Sequence, residues 1–267
     1  MKDIILIVTE GKHPEFDIIE QMKELFFPAS KRTIVKAYWH SNLIDLCKTV
    51  KDDPFLDYVG LLRDEEGNEE LRGVSSDLIS EVYLFFDYDV HGARTRAGGK
   101  DRYDKDLVEL LHELDNETLP TGKLFISYPM VESFWDVPMQ CEDFSSCFTD
   151  LKDLKNYKKR IGEFHPNTEE PLEEKSCLHL LAEHAKRALV LNCGKEFSFS
   201  LDSLLTIENG RIHKRQVDIF WKRNKVFALS PIPLFLLSVN RKMFDFLFSS
   251  HSKNQSCECG CLLQEML

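Results

Sequence analysis

The sequence predicts an α/β fold: a mainly parallel sheet flanked by helices, followed by a mostly helical C-terminal extension. Three observations predict it. Residues 4–8 and 82–86 are unbroken apolar runs, the pattern of strands covered on both faces. Stretches of helical spacing alternate with β-prone runs as far as residue 130, the mark of parallel strands joined by crossover helices. Beyond residue 140 helical patterns dominate. A chain of 267 residues has room for such a domain and its extension.

Taken in order, residues 4–8 are the first strand and residues 9–14 a turn. Pro14 suits the first turn of a helix over 15–25, where its missing N–H costs nothing. Residues 33–39 read as a second strand and 42–50 as a short helix. Residues 51–80 are charged and contain glycine, which predicts an insertion or mobile loop. The third strand, 82–86, runs into Asp87-Tyr88-Asp89. A loop bearing glycine and arginine follows. A helix is expected over 104–114, where Leu107, Leu110, Leu111 and Leu114 repeat at helical spacing. Residues 123–128 are a further strand. Later, 151–161 and 177–191 read as helices, and 230–248 as one or two helices broken near Pro231 and Pro233. The domain expectation is an α/β domain over 1–140, with its insertion at 51–80. A mainly helical substrate- or partner-binding region over 141–250 follows, then a polar, Cys-rich tail over 251–267 of the kind that stays disordered.

The net charge of −11 argues against a general nucleic-acid coat protein. Its distribution is uneven. Residues 1–150 carry 16 Lys+Arg against 31 Asp+Glu, whereas residues 151–225 carry 15 against 11. An acidic front half suits a metal-binding core, and a basic later segment suits a polyanion; solubility alone is the competing account. No apolar run approaches the roughly 18 residues that span a bilayer. The first apolar run ends in Thr-Glu-Gly-Lys without a small-residue cleavage site, unlike a signal peptide. Cys47, Cys141, Cys147, Cys177 and Cys193 are scattered without a disulfide pattern, so reduced thiols and a cytoplasmic location are expected.

Glu10, Asp87, Asp89 and Glu132 each lie just after a predicted strand. Ligands of parallel α/β sheets bind beyond the carboxyl ends of strands, so these carboxylates can converge there. Two aspartates at i and i+2 leaving a strand point the same way. Such oxygen donors suit magnesium, with manganese as an alternative, and an ion so held activates water and neutralises charge developing on a phosphate. Gly11 is expected to let the chain turn tightly beside Glu10. Lys12 and the stretch from Gly92 to Arg102, with Arg94, Arg96, Lys100 and three glycines, place cations and backbone amides where substrate phosphates would lie. A solvated loop balancing an acidic face explains the same cations. His91 is a candidate for proton transfer or a plain surface histidine.

The two motifs stand as Ile-Leu-Ile-Val-Thr-Glu-Gly-Lys and Val-Tyr-Leu-Phe-Phe-Asp-Tyr-Asp. In this order, on buried strands, they resemble the Toprim domain shared by topoisomerases, bacterial-type primases, recombination proteins and a group of nucleases. The resemblance covers residues 3–135. It implies a Toprim-like sheet, with Glu10 binding metal or acting as acid and base, and with Asp87 and Asp89 binding magnesium. Tyr-Pro-Met-Val-Glu-Ser at 128–133 is similar to a segment of the OLD and RloB-like nucleases, which implies Glu132 as a further ligand. The acidic stretch between Trp39 and Val82 departs from the family pattern.

The activity this implies is magnesium-dependent hydrolysis of phosphodiester bonds, in DNA or in a structured RNA such as tRNA. Topoisomerase action would need a larger chain with a tyrosine domain, and primase action its accessory domains. Small proteins joining a Toprim core to a helical extension resemble the toxin effectors of bacterial antiphage defence, including the PARIS type, which an ATPase holds inactive. The implied partners are therefore nucleic acid as substrate and an ATPase as regulator. A homodimer is compatible with the sequence. The alternatives are a non-catalytic Toprim-like binding module and an interaction protein whose acidic surface docks on an ATPase.

Other chemistry is poorly supported. Gly11-Lys12 lacks the first glycine and the hydroxyl of a phosphate-binding P-loop. An aspartyl phosphatase would carry its Asp-x-Asp on the first strand. Lys158-Lys159-Arg160 and the basic run 211–225 around Phe220 and Trp221 fit nucleic-acid contacts or an ordinary amphipathic helix. Cys257, Cys259 and Cys261, with His251, lack the paired Cys-x₂-Cys spacing of zinc sites.

Overall fold

The computed structural model describes residues 4–11, 15–26, 32–53, 57–88, 90, 99–137, 147–164, 172–194 and 198–245. The chain divides into two compact units, Met1–Ile126 and Ser127–Leu267.

The first unit is built on a five-stranded sheet. Its strands are β1 (Ile4–Thr9), β2 (Thr33–Tyr38), β3 (Ile79–Asp87), β4 (Asp115–Asn116) and β5 (Gly122–Ser127), in the order β2-β1-β3-β5-β4. β1 runs parallel to both neighbours, with Val8 opposite Ala37 on β2 and Leu84 on β3. β4 and β5 form a short antiparallel pair. Ile5 to Val8 and Val82 to Phe86 are all buried. This is why the runs show no polar alternation: a central parallel strand meets apolar neighbours on both faces. Each fully buried large side chain contributes about 1.5–3 kcal/mol.

Helix α1 (Glu15–Phe26) buries Phe16, Ile18, Ile19, Met22 and Phe26 along one face. Glu15 and Asp17 in its first turn and Lys23 in its last match the helix dipole. Helix α2 covers Leu43–Asp52. The stretch 51–80, expected to be an insertion or mobile loop, holds α3 (Tyr58–Asp64), α4 (Glu69–Arg72) and a 3₁₀ turn at Ser76–Leu78. It is fastened to the sheet by Asn68, which is fully buried. Tyr38 N–H donates to Asn68 Oδ1 at 2.7 Å, and Asn68 Nδ2 donates to the carbonyls of Tyr38 at 3.0 Å and Leu62 at 2.8 Å. One amide thus satisfies backbone groups at the end of β2, the strand at the edge of the sheet. Helix α5 (Gly99–Glu113) starts five residues before the leucine pattern announces it and packs on α2. Leu107, Leu110 and Leu111 are buried beneath it, as their spacing predicts.

The second unit contains a 3₁₀ turn (Val131–Trp135), β6 (Phe148–Asp150) and a second 3₁₀ turn (Leu151–Asn156). Then come α6 (Tyr157–Phe164), α7 (Glu174–Cys193), α8 (Leu201–Leu205), α9 (Asn209–Arg223), β7 (Lys225–Phe227) and α10 (Ile232–Val239). It is mainly helical, with one antiparallel pair, β6 against β7, that strands three residues long leave no pattern to announce. Pro231 and Pro233 open α10 rather than break it, because the first helical turn has no N–H bonds to lose. Helix α7 buries thirteen residues around its circumference, as a central helix must. Four of them are polar or charged: Glu183, which pairs with Lys186 on the same helix, and His184, Arg187 and Asn192. His184 Nε2–H donates to Phe134 O at 3.1 Å, while its Nδ1 accepts from Ser230 N–H at 3.1 Å. Arg187 donates to the carbonyls of Ala228 and Asp136, each at 2.9 Å. Asn192 Oδ1 accepts from Glu208 N–H at the entrance to α9. Gln216 of α9 exchanges two bonds with the backbone of Phe227. No helix among the described residues is long and apolar enough to cross a membrane.

Candidate functional site

In the order β2-β1-β3-β5-β4, the chain leaving β1 goes to β2 on one side and the chain leaving β3 goes to β4 and β5 on the other, so the sheet has its topological switch point between β1 and β3. Glu10 directly follows β1, and Asp87 is the last residue of β3. Thr9 pairs with Phe85, which sets Glu10 level with the end of β3. Asp87 N–H donates to Glu10 Oε2 at 3.4 Å, a long contact that nevertheless joins residues 77 apart in sequence. Both carboxylates are half-buried. Thr9, fully buried, donates its hydroxyl to Gly11 O at 2.5 Å and accepts Trp39 N–H on its carbonyl at 2.9 Å, which holds the turn that carries Glu10.

Gly11 does not act as the sequence suggested. Its φ is not positive, and a Cβ placed there would meet nothing within 4 Å. The turn beside Glu10 comes from the threonine and the sheet register, with no demand for glycine.

The Asp-x-Asp segment is anchored through its middle residue. Tyr88 is buried, and its hydroxyl donates to Asp104 Oδ1 on α5 at 3.1 Å. Its ring lies 6.0 Å from that of Tyr103. Val90 N–H returns to Tyr88 O at 2.8 Å. Sequence inspection missed both Asp104 and the anchoring role of Tyr88, since a pair sixteen residues apart on a strand end and a helix has no local period.

Asp89, Lys12, His91, Arg94 and Arg96 lie outside the described residues. Lys100 and Arg102 fall in the first turn of α5, and their side chains lie outside that description too. Among the described residues, no three His, Cys, Asp or Glu side chains gather into a metal-sized group. The donors that are described, carboxylate oxygens reachable by solvent at a strand end, are hard ligands of the kind magnesium takes.

Glu132 belongs to the second unit, on the 3₁₀ turn Val131–Trp135. It is buried and pairs with Lys158 Nζ at 2.7 Å. Nearby, Asp136 accepts from Tyr157 Oη at 2.8 Å and from Arg160 at 3.3 Å. Burial, then the Asp136 charge, pushes the Tyr157 hydroxyl well above its ordinary pKa. Lys159 faces Glu163 at 3.8 Å. The run Lys158-Lys159-Arg160, which the sequence left open between nucleic-acid contacts and an ordinary amphipathic helix, meets a carboxylate at every position. The tail carrying His251, Cys257, Cys259 and Cys261 lies outside the described residues.

Compared with known proteins, the chain matches no family model, no curated protein and no solved structure.

Proposed function

We propose that this chain is a metal-dependent Toprim-type nuclease that hydrolyses phosphodiester bonds of nucleic acid, either DNA or a structured RNA such as tRNA. The observation that carries the reading is the meeting of Glu10 and Asp87 at the switch point between two parallel strands, where α/β sheets bind their ligands. Asp89 follows two residues later, and Tyr88 between the two aspartates is tied down by Asp104.

Magnesium or manganese bound by these carboxylates would polarise a phosphate and lower the pKa of a bound water. In this reading Glu10 binds the ion or takes the proton from the attacking water. Asp87 and Asp89 would be its anchors. Lys12, Arg94, Arg96, Lys100 and Arg102 hold the substrate phosphates, helped by the positive end of α5. The resemblance to small Toprim effectors extends the proposal to the cell: a cytoplasmic toxin of a bacterial antiphage system, restrained by an ATPase partner.

The test is cleavage of mixed DNA and of total RNA by the purified chain, with magnesium, with manganese and with EDTA. Glu10→Gln and Asp87→Asn are measured alongside. The expected result is metal-dependent cleavage that either substitution lowers by about a hundredfold or more, the scale of losing one charged catalytic group. Thermal midpoints should stay close to that of the unsubstituted chain. Metal binding without turnover would favour a non-catalytic binding module. Full activity in Glu10→Gln would remove Glu10 from the site.

A further inference from the structure

The second unit's longest basic stretch folds as α9, whose two faces separate cleanly. Ile212, His213, Gln216, Ile219 and Phe220 are buried, which is one helical face. Arg211, Lys214, Lys222 and Arg223 are exposed, and Arg215 and Trp221 half-buried. Asp218 is the only acidic residue in the helix.

The charges on this face are unevenly compensated. Arg211 pairs with Glu208 at 3.0 Å and Lys222 with Asp218 at 3.5 Å. Lys214 and Arg215 pair with no carboxylate among the described residues, and neither does Lys225 just beyond the helix. Cations left uncompensated on a chain of net charge −11 make a local positive field, which attracts polyanions. The contrast with α6 is direct, because there Lys158, Lys159 and Arg160 each face a carboxylate.

Trp221 supplies a second kind of contact. It sits seven residues after Lys214, hence on the same side of the helix. Phe220 packs inward, its ring centroid 4.2 Å from that of Trp221 at 88°, and leaves the indole half-exposed. An aromatic surface among cations is the combination that holds single strands: phosphates on the charges and a base on the ring.

We infer that the outward face of α9, with Lys214, Arg215, Trp221 and Lys225, is where the protein grips a single-stranded segment of nucleic acid. The inference rests on the nuclease reading for its choice of ligand, but it assigns the grip to a surface of the second unit that contains none of Glu10, Asp87 and Asp89.

The experiment measures binding of labelled single-stranded oligonucleotides by fluorescence anisotropy, using the full chain in EDTA so that cleavage cannot intervene. The same sequence is offered as DNA and as RNA, which shows whether the 2′-hydroxyl matters. Lys214→Gln/Arg215→Gln should weaken binding about tenfold near physiological salt and flatten the slope of log K against log salt by about 1.4, at roughly 0.7 per lost phosphate contact. Trp221→Ala should weaken binding about tenfold while leaving that slope unchanged, the signature of lost stacking. Lys159→Gln, which removes an exposed but compensated cation, should bind like the unsubstituted chain. Far-UV circular dichroism and the thermal midpoint of each variant show that the fold is kept, and Trp221→Phe tests the stacking position with a milder change. Binding within twofold of the unsubstituted chain in both the double variant and Trp221→Ala would overturn the inference. So would an equal loss in Lys159→Gln, or no binding of either oligonucleotide by the unsubstituted chain. The two readings fail differently: a chain that binds through α9 but never cleaves with magnesium loses the nuclease reading alone. A chain that cleaves, with binding indifferent to α9, loses this one alone.

Discussion

Glu10 and Asp87, at the carboxyl end of the first unit's sheet, are half-buried, whereas His184, Arg187 and Gln216 in the second unit have no solvent exposure at all. The buried set is held almost wholly by backbone. His184 bridges Phe134 O and Ser230 N–H, Arg187 bridges two carbonyls, and Gln216 matches both polar groups of Phe227. Polar groups in a dry core must find partners or cost stability, so such a network holds loops and helices together. The carboxylates that water can reach stand at the end of two parallel strands, where α/β sheets generally bind ligands, and that position is the basis of the proposed site. The difference teaches that chemical type does not distinguish a site from a scaffold. Solvent access and the identity of the partner do.

The comparison breaks most easily at Arg187. Arg187→Met should cost about 2–5 kcal/mol of stability, since the carbonyls of Ala228 and Asp136 lose a buried cationic donor. Urea denaturation measures it. A variant of unchanged stability that had lost nuclease activity would move Arg187 from scaffold to site.

Acid should test the same core through His184. Complete burial, and then the Arg187 charge, hold its pKa well below the ordinary value, so the folded state keeps the ring neutral while the unfolded chain takes a proton below about pH 6.5. Its contribution is thus full above that pH and is lost as pH falls, with a limiting slope of about 1.4 kcal/mol per pH unit. Urea midpoints between pH 7.5 and 5.5 should fall more steeply for the unsubstituted chain than for His184→Gln. Equal slopes would show that His184 is not the group responsible.

A smaller effect is expected at Tyr88→Phe. Removing its hydroxyl takes a hydrogen bond from the buried Asp104 and should cost about 1–3 kcal/mol. If the pair positions the aspartates on either side, cleavage falls as well, through kcat more than KM. Unchanged kcat with lowered stability would leave the pair a purely structural tie.

The smallest effect belongs to Gly11→Ala. With no positive φ and open space around a Cβ, the change should stay within about 0.5 kcal/mol. A larger loss of folding stability would contradict the conformation described for the Glu10 turn.

Much of this architecture is legible from local pattern. The runs at 4–8 and 82–86 mark β1 and β3 because a strand buried on both faces must be apolar throughout. Leu107, Leu110 and Leu111 mark α5, and the basic run 211–225, which fitted either nucleic-acid contacts or an amphipathic helix, folds for the most part as a helix over Asn209–Arg223 with Ile212, Gln216, Ile219 and Phe220 buried. The short helices within 51–80 were not legible because its composition is polar, and the residue that ties it to the sheet, Asn68, answers to backbone groups thirty positions away at Tyr38. The two readings of Lys158-Lys159-Arg160 stayed open in the sequence for a related reason: a cation's availability depends on the carboxylate opposite, here Glu132, Glu163 and Asp136.

The sequence by itself determined the longer strands β1, β2, β3 and β5, the apolar spacing of Leu107, Leu110 and Leu111, and that acidic residues stand at strand ends, because each of these is written in local runs and spacings. Only the tertiary structure decided that β1 lies between β2 and β3, and so that Glu10 meets Asp87 across 77 residues. It alone decided that Asp104 locks Tyr88, that Arg187 and His184 are sealed from water, and that Lys214 and Arg215 remain uncompensated. Strand order, burial and ion pairing are relations between residues far apart in the chain, and they come into being when the chain packs.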